Sequence, residues 1–132
     1  VAQVDQRSLV ELMNFLRANG GIRGYTNYWI AYPLAFESHE DLIFVPRLPY
    51  HADLRYTPRD DRYLPYDALV ADSPRVAYIT SRNPALNARL KTGFLKLGVS
   101  YREQLIGDFD VFYALSARVT PGQLGLGEAC CD

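Results

Sequence analysis

Tyr, Trp and Arg are the side chains best placed to do chemistry in this 132-residue sequence. Tyr25, Tyr28, Trp29 and Tyr32 crowd one short stretch. Between residues 46 and 66, Arg47, Arg55, Arg59 and Arg62 interleave with Tyr50, Tyr56 and Tyr63. Tyr rings can stack on sugars or meet lipid head groups, and Arg grips phosphate through paired N–H donors. The candidate ligand-binding residues are therefore Tyr28, Trp29, Tyr32, Arg47, Arg62 and Tyr63. A plainer role is open to the same residues. Tyr28 and Trp29 can anchor a core and the loop can act as a lid, since large aromatics mostly serve packing. Asp53, Asp60, Asp61 and Asp67 also offset the four arginines.

Other constellations are weaker. Asp108-Phe109-Asp110 matches the Asp-x-Asp pattern that holds a divalent cation in many glycosyltransferases, where oxygen ligands must converge on a hard ion. Here Asp108 falls in a hairpin turn, which turn chemistry explains, and Asp110 on what reads as a polar strand face. His39 and His51 stand apart at a helix–strand junction and in the long loop, and exposed junction histidines are the simpler reading. Ser73, Ser81 and Ser100 lack a nucleophile elbow. Asn19-Gly20-Gly21-Ile22-Arg23-Gly24 follows a helix and opens a strand, the reverse of a phosphate-cradling loop. Cys130 and Cys131 are adjacent, so a bond between them would be strained and close almost no loop. No catalytic residue, metal site or cofactor is assigned.

Composition sets the frame. Hydrophobic residues make up 48% and charged residues 22%, as in an ordinary globular domain. A net charge of -1 excludes nucleic-acid binding driven by bulk charge. The longest apolar run, Trp29 to Phe36, contains Pro33 and is far short of the roughly 20 residues a spanning helix needs. The chain opens at Val1 rather than Met, which leads us to expect a piece of a longer protein.

The elements that must position these residues alternate. Ser8 to Glu11 reads as a capping box that opens a helix with Leu9, Leu12, Met13 and Leu16 on one face, closed by Gly20-Gly21. Residues 22–28 read as a strand. A helix from about Asn27, bent or restarted at Pro33, comes next. Leu42 to Val45 is a continuous apolar run that suits a buried strand. After the long loop come a short helix over 66–71 and a strand over 75–80. Asn83-Pro84 caps a helix that ends at Gly98. Gly107-Asp108 joins strands over 99–106 and 109–117, with Phe109, Val111, Tyr113 and Leu115 on one face. The expected fold is α/β: a three-layer, Rossmann-like, mostly parallel sheet of about five strands ending in an antiparallel hairpin. Residues 1–118 form the domain and 119–132 read as a tail.

The run Gly24 to Ser38, GYTNYWIAYPLAFES, resembles one found in bacterial multi-pass membrane glycosyltransferases of the protein-mannosyltransferase-like type. C-terminal soluble domains of that type often read G-Y-A-D-Y-W-I-A-Y, then a strand, then R-Y-x-P-Y. Arg62-Tyr63-Leu64-Pro65-Tyr66 fits the last pattern, and Arg75 to Ile79 and Leu97 to Tyr101 resemble the segments that follow. The likeness covers roughly residues 8–118. Asn27 stands where the pattern has Asp. The resemblance implies an accessory, non-catalytic domain on the extracytoplasmic side of a bacterial cell membrane. Its partners would be a lipid-linked sugar or glycan and its own membrane part. The type's catalytic acid lies in membrane-portion loops, so none is carried over. Two alternatives stand beside it. One is a small stand-alone Rossmann-like enzyme or binding domain for a phosphorylated metabolite. The other is a structural interaction domain without a ligand.

Overall fold

Short apolar runs separated by amphipathic ones make strands and helices alternate. The computed structural model describes residues 6–49 and 64–126. In chain order the elements are α1 (Gln6–Ala18), β1 (Arg23–Tyr25), α2 (Tyr28–Glu37), β2 (Ile43–Val45), α3 (Leu64–Ala71), β3 (Ala77–Ser81), α4 (Pro84–Leu97), β4 (Arg102–Ile106) and β5 (Phe109–Tyr113). A 3-10 turn over Pro121–Leu124 follows.

The strands form one five-stranded sheet in the order β2-β1-β3-β5-β4. The β2-β1-β3 half is parallel and the β3-β5-β4 half antiparallel. The fold is therefore α/β with a mixed sheet, and the hairpin expected at Gly107-Asp108 supplies its antiparallel end. Gly107 takes φ +59°, as a tight two-residue link requires.

Side chains alternating along the strands divide between two buried clusters. One joins Ile43, Val45, Tyr78 and Phe112 to Val70 of α3 and Leu86, Leu90 and Phe94 of α4. The other joins Phe44, Ile79, Phe109 and Val111 to Leu9, Leu12 and Leu16 of α1 and Ile30 and Leu34 of α2. Within the first, Phe94 is the hub of a ring cluster, with centroids 5.5 Å from Tyr78, 5.1 Å from Tyr101 and 6.2 Å from Phe112. β1 fits between its neighbours only because Gly24 has no side chain. A Cβ there would lie 1.9 Å from the carbonyl oxygen of Ala77.

Several boundaries differ from the sequence reading. α1 is already helical at Gln6, so Ser8 lies inside it and does not cap it. α2 passes through Pro33 without a restart. Its position six residues in removes one backbone donor, and burial of Ile30, Ala31, Leu34 and Ala35 holds the helix together. β1 is three residues long, not seven. Leu115 leaves the face of Phe109 and Val111, because Ala114 turns the chain with φ +54° after β5. Beyond Arg118, where a tail was expected, Val119, Pro121, Leu124 and Leu126 are buried.

Candidate functional site

The carboxyl ends of the parallel strands β1, β2 and β3 share one edge. Thr26 ties them together. Its backbone N–H donates to the Val45 carbonyl (3.0 Å), its hydroxyl donates to the Ile79 carbonyl (2.9 Å), and its own carbonyl accepts from Leu48 N–H (3.0 Å). Asn27 then caps α2, its Oδ1 accepting from Ile30 N–H at 3.1 Å. Trp29 follows in the first turn, 41% exposed. Arg47 is half-buried two residues after β2, its N–H bonded to the Val45 carbonyl at 2.8 Å.

Trp29 and Arg47 thus leave neighbouring strands at the same edge. Tyr28 opens α2 on the same turn. Tyr32 lies one turn further along and is half-buried. Trp29, Tyr32 and Arg47 each engage a polar or ring partner. Arg62 and Tyr63 lie outside the described residues, as do His51 and the Cys130-Cys131 pair.

Tyr32 opens onto a groove of about 540 Å³ lined by Tyr32, Ala35, Phe36, His39, Glu40 and Tyr66. It sits between the C-terminal half of α2 and the start of α3. The Tyr66 hydroxyl donates to Glu40 Oε2 at 2.5 Å. α2 ends on Ser38, whose hydroxyl accepts from Leu42 N–H at 3.0 Å. His39 and Glu40 then turn the chain with φ +54° and +63°, and Glu40 N–H reaches back to the Ala35 carbonyl at 2.7 Å. The sequence marked His39 only as a junction histidine. It did not associate it with Tyr66, 27 positions away by subtraction of their numbers.

The Asp-x-Asp pair does not converge. Asp108 is exposed in the hairpin turn and pairs with Arg82, whose guanidinium bond holds the carboxyl below its usual range. Asp110 is buried, at 6% exposure, and not on a polar face as its neighbours suggested. Burial, and then the Glu103 carboxyl beside it, push its own carboxyl up to about 7, with Lys91 opposing the shift. Lys91 Nζ of α4 lies 3.4 Å from Glu103 of β4. Thr80, directly across from Asp110 in the β3–β5 ladder, donates its hydroxyl to Asn87 Oδ1 at 2.5 Å. Asp110 Oδ1 has no hydrogen-bond partner among the described residues. This polar cluster beside α4, with Thr80 and Asp110 its buried members, was missed in the sequence, where alternation assigns Asp110 to solvent.

Arg118 was also missed. Its guanidinium donates to the Ser73 carbonyl (2.9 Å), the Val70 carbonyl (2.8 Å) and the Tyr25 hydroxyl (3.1 Å), closing the C-terminal end of α3 onto β1. Nothing local in the sequence signals it, since its partners lie 45 to 93 positions away. A second hollow, about 760 Å³, lies between α4 and the 3-10 turn and contains none of the sequence candidates. Among the described residues no three His, Cys, Asp or Glu side chains converge to hold a metal ion, and no helix is long and apolar enough to cross a membrane. Compared with known proteins, the chain matches no family model, no curated protein and no solved structure.

Proposed function

We propose that this chain is an extracytoplasmic accessory domain of a bacterial membrane glycosyltransferase-like protein. In this reading it is not itself catalytic, and it contacts a lipid-linked sugar donor or acceptor. The observation that carries the reading is that Trp29 and Arg47 follow neighbouring parallel strands, β1 and β2, at the same carboxyl edge of the sheet. In open α/β sheets that edge is where ligands bind, at the point where successive connections leave in opposite directions. The order β2-β1-β3 has such a point between β1 and β3, beside the turn that carries Trp29. An indole for the sugar face and a guanidinium for the phosphate are the two groups such a ligand needs. The finer fold reading, a three-layer Rossmann-like arrangement, draws support from the two buried clusters, one fed by α1 and α2 and the other by α3 and α4.

Binding of a polyprenyl-phosphate-linked sugar, presented in detergent micelles, tests the proposal. Trp29→Ala and Arg47→Ala should each weaken binding about tenfold, as expected for an aromatic anchor or a charge-assisted contact. Absence of binding, or binding that neither substitution weakens, counts against it. A small enzyme acting on a phosphorylated metabolite is the second reading, and Asp110 favours it. A carboxyl raised to about 7 beside Glu103 and Lys91 has the properties of an acid–base group. That reading requires turnover that Asp110→Asn abolishes and Trp29→Ala spares.

A further inference from the structure

We infer that the groove beside the C-terminal half of α2 is a binding site for a neutral pyranose ring, distinct in its side chains from the strand-end pair Trp29 and Arg47. It rests on the reading of α2 as the ligand-bearing helix, and it names the ligand that the helix holds.

Three rings, from Tyr32, Phe36 and Tyr66, line one open groove. Phe36 is 78% exposed, an unusual place for the most apolar ring of the set. Tyr32 and Phe36, spaced i and i+4, lie on one face of α2, and Tyr66 joins them from α3. A set of ring faces suits a flat ligand with apolar faces and polar edges, and a pyranose is such a ligand. Its C–H face stacks on the rings, and its hydroxyls need acceptors at the border. Glu40 is there for that purpose. Tyr66 donates to Oε2 and fixes the carboxylate at the border of the groove, where a carboxylate's remaining lone pairs can accept from a ligand hydroxyl.

The backbone agrees. Helices usually leave through Gly where φ is positive, because other residues there are strained. Here His39 and Glu40 both hold that conformation, and both line the groove. Strain kept for two polar side chains, where glycine would relieve it, points to use of those side chains. Charge selects against other occupants. Among the described residues no Lys or Arg lines the groove, while Glu37, Glu40 and Asp41 lie on the same stretch of chain. Those carboxylates disfavour phosphates and anionic membrane surfaces. A small cation would ask for an enclosed cage, and this groove is open along one side.

The probes are a panel of methyl hexopyranosides, with tetramethylammonium as the competing cation, read by saturation-transfer NMR and by titration of backbone shifts in the whole chain. We expect millimolar binding of at least one pyranoside. Phe36→Ala and Glu40→Gln should each weaken it about fivefold, the loss of one aromatic or hydrogen-bonding contact, and Trp29→Ala less than about twofold. Phe36 is exposed, so its removal leaves the fold intact, and an unchanged melting curve checks this. No transfer from any pyranoside overturns the site. So does binding that both groove variants leave unchanged, or tighter binding of tetramethylammonium. Weakening by Trp29→Ala alone also overturns it, and assigns the sugar to the strand-end surface instead. Loss of lipid-linked sugar binding with pyranoside binding intact would instead sink only the wider function.

Discussion

Asp110 carries a testable consequence at the scale of a single residue. The unfolded chain releases its proton near 3.8, the folded domain near 7. Between those values the folded state binds the extra proton, so its contribution to stability is complete below about pH 4 and disappears as pH rises to 7. Denaturant titration at pH 5 and pH 8 should therefore show the domain weaker at pH 8. Asp110→Asn should flatten that slope and stabilise the pH 8 form by on the order of 1 kcal/mol, because the neutral amide removes the desolvated charge. An unchanged slope would assign the pH dependence elsewhere. The sequence hid this residue for a physical reason. Alternation placed Phe109, Val111 and Tyr113 inward and Asp110 outward, but both faces of β5 are covered. His39 makes the opposite kind of case. It sits at φ +54°, where glycine is free of strain, so His39→Gly should stabilise the domain by about 1 kcal/mol in the same titration.

At the scale of elements, the strongest local signals held. Asn83-Pro84 caps α4, with Asn83 Oδ1 accepting from Leu86 N–H at 3.2 Å, and Gly98 ends it with φ +69°. Such signals depend on a few adjacent residues, so they survive tertiary packing. The length of β1 was not legible, because Arg23–Tyr25 is fixed by what it packs between. Gly24→Ala should test that wedge. The added methyl would strike the Ala77 backbone, which cannot yield as a side chain end can. We expect loss of at least about 3 kcal/mol, or no folded protein, by chemical denaturation or expression yield. The continuity of α2 was likewise set by tertiary contact. Pro33 argued for a break, and burial on several sides of the helix overrode it. Asn27 was read correctly as its start, and Asn27→Ala should cost about 1 kcal/mol of stability through the lost cap. The aromatic candidates Trp29 and Tyr32 could be picked out by type alone. Their division between a strand-end surface and a groove with Tyr66 and Glu40 required the helix to be folded back on the sheet.

At the scale of the whole molecule, the residues after β5 complete the domain. The periodicity that marks helices and strands is missing there, so residues 119 onward read as a tail. Their burial comes from docking against α4 and β3, which no local pattern records. Val119, Leu124 and Leu126 are 1%, 5% and 3% exposed, in the cluster that also contains Tyr78 and Phe94. Tyr78 donates its hydroxyl to the Val119 carbonyl at 2.5 Å, and burial raises its phenol far above the ordinary range, keeping it a donor. Gly93 lets the 3-10 turn approach α4, since a Cβ there would come within 2.3 Å of Leu124 Cδ2. Ending the chain after Arg118 would remove three buried apolar side chains, whose burial is worth about 1.5–3 kcal/mol each, a loss of about 5–9 kcal/mol in all. That is comparable with the whole stability of a domain this size, about 5–15 kcal/mol. The shortened chain should therefore melt at a much lower temperature or fail to fold. If the chain ending at Arg118 melts like the full one, the domain closes where β5 does, and the contacts beyond are incidental. Tyr78→Phe separates the two contributions, because it removes one hydrogen bond, about 1 kcal/mol, and leaves the apolar docking in place.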